Sequence, residues 1–358
     1  MDRNPGSHPE GQVKPASQPF RILSLDGGGI RGAFTASFLA AIEERLGHSV
    51  TDHFDLIAGT STGGIIAVAM AFGERCERIR DFYSARGPEI FTRRPRLPVA
   101  KWLTPLMWFA DRKLRPYKLD VDCLRQSKYD GIALRAALVE VFGNRTLEDA
   151  KKRLIVPAVD LISGNTVVFK TPHQPNSFRD RHSRAVDVVL STTAAPTYFP
   201  HAVMNPGTAY MDGGVWADNP SIAAYVEAIK IREVCTRSGI DPVFSPEDIQ
   251  ILSVGTGRPN YSKTPPEAGA GIGWWSGHLL DVVFTSQAQG VYNQCRYVLG
   301  NRYHRIDFDL ADSTWGLDSV ELIPKLLQIG SEKAAEHYAK LRHELFSYGV
   351  THPYHPFD

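Results

Sequence analysis

Long apolar runs, paired cysteines and a large net charge are all missing from this sequence of 358 residues. No stretch of about 18 apolar residues occurs, so we expect no transmembrane helix. The four cysteines lie far apart without a C-x-x-C pair, so the sequence suggests neither a metal site nor a disulfide framework. The net charge of +1 gives no reason to expect a nucleic acid polymer as a partner. Together these absences favour a cytoplasmic globular protein.

The sequence does contain enough apolar side chain for a large core, with 43% hydrophobic and 22% charged residues. Residues 1–19 are rich in Pro, Gly, Ser and Gln and hold no apolar run, which predicts a disordered leader. From residue 20 to residue 358, strand-like apolar runs alternate with helical patterns. This alternation predicts one α/β domain with helices on both faces of a single sheet.

A G-x-S-x-G motif, Gly59-Thr60-Ser61-Thr62-Gly63, follows a short apolar run and precedes an apolar helical pattern. In a strand–turn–helix elbow the tight bend leaves no room for side chains beside the serine, so glycine is required at both flanks. The bend places the hydroxyl at a helix N-terminus, which favours developing negative charge. We therefore predict that Ser61 is a nucleophile. An inert glycine-rich turn is the alternative, and a phosphate loop is less favoured because no Lys follows Gly64.

A second glycine-rich loop, Asp26-Gly27-Gly28-Gly29-Ile30-Arg31-Gly32, follows the first predicted strand and opens a helix. It satisfies G-x-G-x-x-G, the pyrophosphate-binding pattern of dinucleotide sites. That interpretation needs an acidic residue at the end of the second strand, where Ser61 stands instead. An oxyanion hole formed by the N–H groups of Gly28 and Gly29 is therefore the better interpretation. Arg31 either neutralises nearby charge or is a solvated surface arginine.

The sequence offers two kinds of base for Ser61, which needs a proton acceptor within hydrogen-bond reach. Asp212 closes a predicted strand, and Gly213 and Gly214 after it permit the close approach that a carboxylate must make. Asp-Gly is also a common turn dipeptide, so the motif alone favours a turn. Three of the twelve histidines are candidates for a Ser-His-Asp triad, namely His173, His201 and His304. A dyad with aspartate requires a dry cleft, because aspartate is a weak base in water.

Three further segments have distinctive patterns. Residues 93–118 carry eight Lys and Arg against one Asp, interleaved with Trp, Leu, Met and Phe. This pattern is typical of a cap-like insertion that lies on an anionic lipid surface or covers an apolar cleft, the alternative being a packed insertion with a solvated basic face. The pattern over residues 121–142 predicts a helix. Residues 259–277, rich in Pro and Gly with Trp274-Trp275 near the end, predict a loop beside the cleft or a partner surface.

The Asp26–Gly32, Gly59–Gly63 and Asp212–Gly214 blocks, in this order, resemble the three signature blocks of the patatin-like phospholipases. The segments Ala194–Pro200 and Asp218–Pro220 are similar to that family too. The resemblance implies a three-layer α/β/α fold with a central mostly parallel sheet. It also implies a Ser61–Asp212 dyad, an acyl-enzyme and hydrolysis of fatty-acyl esters of membrane phospholipids without metal or organic cofactor. The oxyanion hole would be Gly27, Gly28 and Gly29, and the supporting motif residues would be Arg31, Gly32, Gly59, Gly63, Gly213 and Gly214.

The resemblance also suggests a biological role. Compact bacterial patatins of this size are similar to phospholipase effectors of antiviral defence that degrade membranes once a cyclic dinucleotide binds. Such an effector would be cytoplasmic and peripheral at the inner membrane. A housekeeping acyl hydrolase, a Ser-His-Asp esterase, and a non-enzymatic nucleotide-binding or storage protein remain the alternatives, and a homo-oligomer is left open.

Overall fold

The computed structural model of the protein describes residues 19–95, 108, 110, 112, 126–175, 178–239, 244–258, 271–310, 315–347, 349–350, 352 and 354–357. The predicted leader, residues 1–19, lies outside the described residues except for Pro19. Most of the predicted insertion, residues 93–118, lies outside them as well, and so do residues 259–270. The division into a leader, one catalytic domain and an insertion stays a prediction.

The centre of the described part is one sheet. Its strands are β1 (Phe20–Leu25), β2 (Leu56–Gly59), β3 (Arg153–Asp160), β4 (Thr166–Lys170), β5 (Tyr210–Asp212), β6 (Ile249–Val254) and β7 (Tyr303–Ile306). The continuous order is β4-β3-β2-β1-β6-β7, and β5 pairs with β3. Along the part β3-β2-β1-β6-β7 of this order, each strand is parallel to its neighbours. The strands β4 and β5 run antiparallel to β3. The predicted mostly parallel sheet is therefore confirmed.

Helices cover both faces of this sheet. The described helices are α1 (Gly32–Leu46), α2 (Thr62–Ala71), α3 (Cys76–Ile90), α4 (Ile132–Phe142), α5 (Ala185–Thr193), α6 (Gly214–Ala217), α7 (Ser221–Arg237), α8 (Ile272–Leu299) and α9 (Ile323–Glu344). Successive side chains of β1 point to opposite faces, so Leu23 and Leu25 join the core under α1, α2 and α9. Phe20 and Ile22 join a second core under α7 and α8. The predicted three-layer α/β/α arrangement is confirmed.

Two element boundaries differ from the sequence prediction. Of the helix predicted over residues 121–142, residues 121–125 lie outside the described residues. In the described part the helix begins only at Ile132, because Gly131 before it takes a left-handed φ of 77° that a helix cannot continue through. Trp274 and Trp275, predicted to lie in a loop, fall within α8, which begins at Ile272. None of the described helices combines the length and the apolar character that a membrane span needs.

A buried carboxylate, that of Glu43, ties α1 to the elements around it. Its Oε2 accepts hydrogen bonds from the backbone N–H of Cys76 at 2.8 Å and from Arg75 Nε at 3.1 Å. Its Oε1 accepts one from the N–H of Val50 at 3.3 Å. Because Cys76 is the first residue of α3, this carboxylate satisfies a backbone donor that the helix itself leaves without an acceptor. Glu43 thus positions α3, whose residues line the candidate site.

Replacing Glu43 by Ala should destabilise the protein, because the N–H groups of Val50 and Cys76 would lose their acceptor. We expect a loss of at least about 2 kcal/mol in the free energy of unfolding, measured by urea denaturation. Glu44→Ala is the matched control, since the neighbouring side chain is exposed, and should change this free energy by less than about 0.5 kcal/mol. Equal effects of the two substitutions would contradict the role assigned to Glu43.

Candidate active site

Ser61 stands at a strained turn between β2 and α2. Its φ of 52° and ψ of −122° lie in a backbone region that residues other than glycine seldom adopt. The turn is crowded on both sides: a Cβ at Gly59 would lie 2.2 Å from the carbonyl oxygen of Gly63, and a Cβ at Gly63 would lie 2.2 Å from that of Leu25. Both flanking positions therefore have room only for glycine.

The Ser61 hydroxyl donates a hydrogen bond of 2.6 Å to Oδ2 of Asp212, a residue 151 positions away in the sequence. The other carboxylate oxygen, Oδ1, accepts a hydrogen bond of 2.7 Å from the backbone N–H of Gly214. Asp212 is fully buried and Ser61 is 7% exposed. The structure thus brings together the two side chains that the sequence predicted as a pair, in the dry setting that a carboxylate base requires.

The sheet explains how Asp212 reaches Ser61. The first half of β3 pairs with β2, through Ile155 opposite Ala58. The second half pairs with β5, through Ala158 opposite Asp212. Because β4 occupies the other edge of β3 from Ile155 to Val159, β5 must lie on the same side of β3 as β2. β5 therefore pairs with the part of β3 that lies beyond the point where β2 ends at the elbow.

Thr192, near the end of α5, holds the elbow from behind and was missed by the sequence analysis. Its Oγ1 accepts a hydrogen bond of 3.0 Å from the N–H of Ser61 and donates one of 2.6 Å to the carbonyl oxygen of Pro157. The nucleophile is thereby linked to β3. The only sequence signal was the short polar run that ends the helix, which by itself is typical of a helix terminus.

The glycine-rich loop lies beside the nucleophile, since a Cβ at Gly27 would lie 3.4 Å from the Cβ of Ser61. The N–H of Gly27 already donates to the carbonyl oxygen of Asp218 at 2.9 Å. Among the described residues, the N–H groups of Gly28 and Gly29 face no backbone acceptor, and neither does that of Thr62 after the nucleophile. These three donors, rather than Gly27, are the ones free to bind an oxyanion. The sequence analysis missed Thr62.

Burial sets the proton affinity of Asp212. Removal from water raises the pKa of its carboxyl group to about 7, and the hydrogen bonds from Ser61 and Gly214 only partly offset that effect. A carboxylate with a pKa near neutrality is a much stronger base than an aspartate in water. It can therefore hold the proton of a serine hydroxyl during a reaction.

A cavity of about 620 Å³ opens at Ser61 and Asp212. Its walls are almost entirely apolar and include Ile30, Ile65, Phe82, Ile90, Phe91, Leu134, Phe199, Phe284 and Leu317. The helices α2, α3 and α4 and the middle of α8 supply most of these side chains. A polar substrate has few partners in such a cavity, whereas a hydrocarbon chain is matched along its length.

The remaining predicted site residues support this arrangement or lie elsewhere. Gly32 packs against Thr62, Gly213 packs against the backbone of Pro157, and Arg31 is buried with its Nε donating to the carbonyl oxygen of Gly28 at 3.3 Å. The interpretation of Arg31 as a solvated surface arginine is therefore wrong.

The three candidate histidines do not line the cavity at Ser61. His173 is buried against Glu227, with Nε2 and Oε1 3.1 Å apart. His304 lies 3.2 Å from Glu344, and His201 is exposed. Within the described residues, no cluster of His, Cys, Asp and Glu has the arrangement of a metal site. The geometry at Ser61 therefore favours the dyad over the triad.

Comparison with known proteins identifies the family to which the chain belongs. Residues 23–225 match the sequence profile of the family described as patatin-like phospholipase. The chain is 33% identical over 294 residues to cGAMP-activated phospholipase of Pseudomonas aeruginosa, covering 80% of this chain and 78% of that protein. It is 38% identical over 255 residues to cGAMP-activated phospholipase of Vibrio cholerae, covering 68% and 66%. The solved structure of VipD from Legionella pneumophila overlaps 90% of this chain and 67% of that one, with a TM-score of 0.42 and 13% identity. The profile and the first relative together establish that the chain belongs to the patatin-like phospholipase family and is an ester-hydrolysing enzyme.

Proposed function

We propose that this protein hydrolyses fatty-acyl esters of membrane phospholipids, with Ser61 as the nucleophile and Asp212 as its base. The observation that carries the proposal is the buried 2.6 Å hydrogen bond between these side chains in the wall of an apolar cavity. An acyl chain would occupy the cavity, which places the ester carbonyl at the serine. The phospholipid headgroup would remain outside.

The reaction follows from the positions of the donors and the base. Ser61 Oγ attacks the ester carbonyl carbon while Asp212 Oδ2 takes the hydroxyl proton. The N–H groups of Gly28, Gly29 and Thr62 stabilise the oxyanion of the tetrahedral intermediate. When the ester bond breaks, Asp212 returns the proton to the departing lysophospholipid oxygen, leaving an acyl group on Ser61. Water, deprotonated by Asp212, then releases the fatty acid and restores the hydroxyl.

Exposed apolar side chains support a lipid surface as the place of action. Ile132, at the start of α4, is 71% exposed, and Leu134 of the same helix lines the cavity. Trp108, in the 93–118 segment, is 62% exposed. Apolar side chains in these positions gain free energy when they enter the boundary of a bilayer. We therefore propose a peripheral, reversible association with the inner face of the membrane.

A cyclic dinucleotide would control the activity. The two bacterial relatives described above are named as cGAMP-activated phospholipases, and the match to the first spans most of both chains. We extend that regulation to this protein, with cyclic GMP–AMP (cGAMP) as the activator and membrane degradation during antiviral defence as the outcome. Assembly into a homo-oligomer would be compatible with such control.

Removing either member of the dyad should abolish hydrolysis. Ser61→Ala and Asp212→Asn should each lower kcat/KM for a soluble short-chain ester by at least about 1,000-fold, because the nucleophile or its proton acceptor is lost. Ser191→Ala is the matched control, since that buried serine bonds only within α5, and should retain activity. Activity that survives Asp212→Asn but is lost in a variant of His173, His201 or His304 would restore the triad.

The rate should rise with pH around neutrality. Asp212 accepts a proton only as the carboxylate, so protonation below its raised pKa of about 7 should switch the enzyme off. We expect kcat/KM for the soluble ester to increase about tenfold per pH unit on the acid side and to level off above about pH 7. An acid limb centred near pH 4, the value of an aspartate in water, would contradict the assignment of Asp212 as the base.

Addition of cGAMP should accelerate fatty-acid release from phospholipid vesicles. We expect an increase of about tenfold, within the usual range of allosteric coupling. A linear dinucleotide of the same bases controls for charge and base content and should have no effect. An equal rate with and without cGAMP would contradict activation while leaving the lipase assignment in place.

A further inference from the structure

A second cavity adjoins the apolar one, and the ring of Phe284 lines both. It is bounded by the ends of β1, β6 and β7 and by the middle of α8. Unlike the first cavity it is polar, and its lining includes Asp26, Arg31, Asp218, Thr256, Arg258, Thr285, Gln289, Tyr292, Arg305 and Asp307.

Two buried carboxyl groups in this cavity have unused hydrogen-bonding capacity. Among the described residues, Oδ1 of Asp26 and Oδ1 of Asp218 have no hydrogen-bond partner, although the two residues are 2% and 7% exposed. Leaving such an atom buried and unpaired is costly, so these oxygens are available to a polar ligand. Burial and the neighbouring carboxylates raise the pKa of Asp218 well above its usual range, which favours the protonated form, and that form can donate as well as accept.

The cavity also carries positive charge and an aromatic wall. Arg305 is committed to the protein, because it donates to Oδ2 of Asp26 at 2.6 Å and to Oδ2 of Asp307 at 2.7 Å. Arg31 and Arg258 add two further guanidinium groups. The side chain of Arg258 is about half exposed at the cavity mouth and pairs with the exposed Asp309 at 3.0 Å, a pair that a phosphate could replace. Tyr292 on α8 adds an aromatic ring. Such a set can hold a phosphate diester and a heteroaromatic base together.

We propose that this cavity binds one nucleotide of the cyclic dinucleotide activator, an inference that rests on the proposed function. The purine edge, with ring N–H and amino donors, would meet the carboxyl groups of Asp26 and Asp218. The phosphodiester would lie near Arg258 and Arg31. The second nucleotide would extend through the mouth.

The same residues connect this cavity to the catalytic loop. Oγ1 of Thr256 donates to the carbonyl oxygen of Gly27 at 2.5 Å, and Arg31 Nε bonds to the carbonyl of Gly28. The carbonyl of Asp218 accepts the N–H of Gly27, and the ring of Phe284 lines both cavities. A ligand that binds to Thr256, Arg31 and Asp218 would therefore shift the peptide groups of Gly27 and Gly28. The N–H groups of Gly28 and Gly29 belong to these peptide groups and stabilise the oxyanion in the proposed reaction. Coupling of this kind changes the rate without contact between activator and substrate.

Filling the cavity with a side chain tests the proposal. In Ala288→Trp, the indole would occupy the space beside Gln289 and Tyr292, whereas Gln294→Trp places the same ring on the exposed side of α8 and is the matched control. Cyclic GMP–AMP binding is measured by isothermal titration calorimetry. Fatty-acid release from vesicles is measured with and without cyclic GMP–AMP, so that each variant is compared with its own basal rate. Arg258→Ala provides a second, milder change, because that side chain lies at the mouth.

We expect Ala288→Trp to weaken binding at least tenfold and to bring the ratio of stimulated to basal rate close to one. Arg258→Ala should raise the dissociation constant about tenfold, and Gln294→Trp should behave as wild type. Calorimetry detects binding even if no lipid is hydrolysed, so failure of the lipase assignment remains distinguishable. Wild-type binding to cyclic GMP–AMP with the same affinity in Ala288→Trp and Arg258→Ala would overturn the proposal, and so would absence of binding to the wild type.

Discussion

The active site depends on one constraint, the exclusion of water from the carboxylate of Asp212. In water this group would hold a proton too weakly to serve a serine hydroxyl. It is fully buried and, among the described residues, accepts hydrogen bonds from Ser61 and the N–H of Gly214, and its pKa is raised to about 7. Burial of a carboxyl group costs folding free energy, and the contribution of Asp212 to stability falls as the pH rises from about 4 to about 7. The fold tolerates this cost because two large cores flank the sheet.

The rigidity of the sheet makes that arrangement reproducible. Ser61 occupies a strained backbone conformation, which persists only where the surroundings determine it fully. Parallel pairing of β2 with β1 and β3 fixes the strand before the turn, and Thr192 fixes the N–H of the serine itself. The short strand β5 then delivers the base from the same sheet. Nucleophile and base are therefore held by one rigid element rather than by two loops.

The glycine-rich loop connects the residues at Ser61 to the polar cavity. One of its faces borders the apolar cavity through Gly29. The other is held by Thr256, Arg31 and Asp218, all of which line the polar cavity. The proposed lipid substrate and the proposed charged regulator would need opposite environments, and this stretch of backbone borders both cavities. The absence of side chains on this loop lets both sets of neighbours approach it closely.

The sequence by itself determined the elbow, the glycine-rich loop and the alternation of strands and helices, because these features depend on glycine and on apolar periodicity over a few residues. It failed before Ile132, where the left-handed Gly131 precedes the first residue of the described helix. The residues by themselves left the base of Ser61 open between Asp212 and three histidines, and the family resemblance implied Asp212. The tertiary structure adds the contact that favours Asp212, which joins residues 151 positions apart and depends on which edge of β3 receives β5. The polar cavity was likewise beyond the sequence, because its walls come from strands and a helix that meet only in the folded sheet.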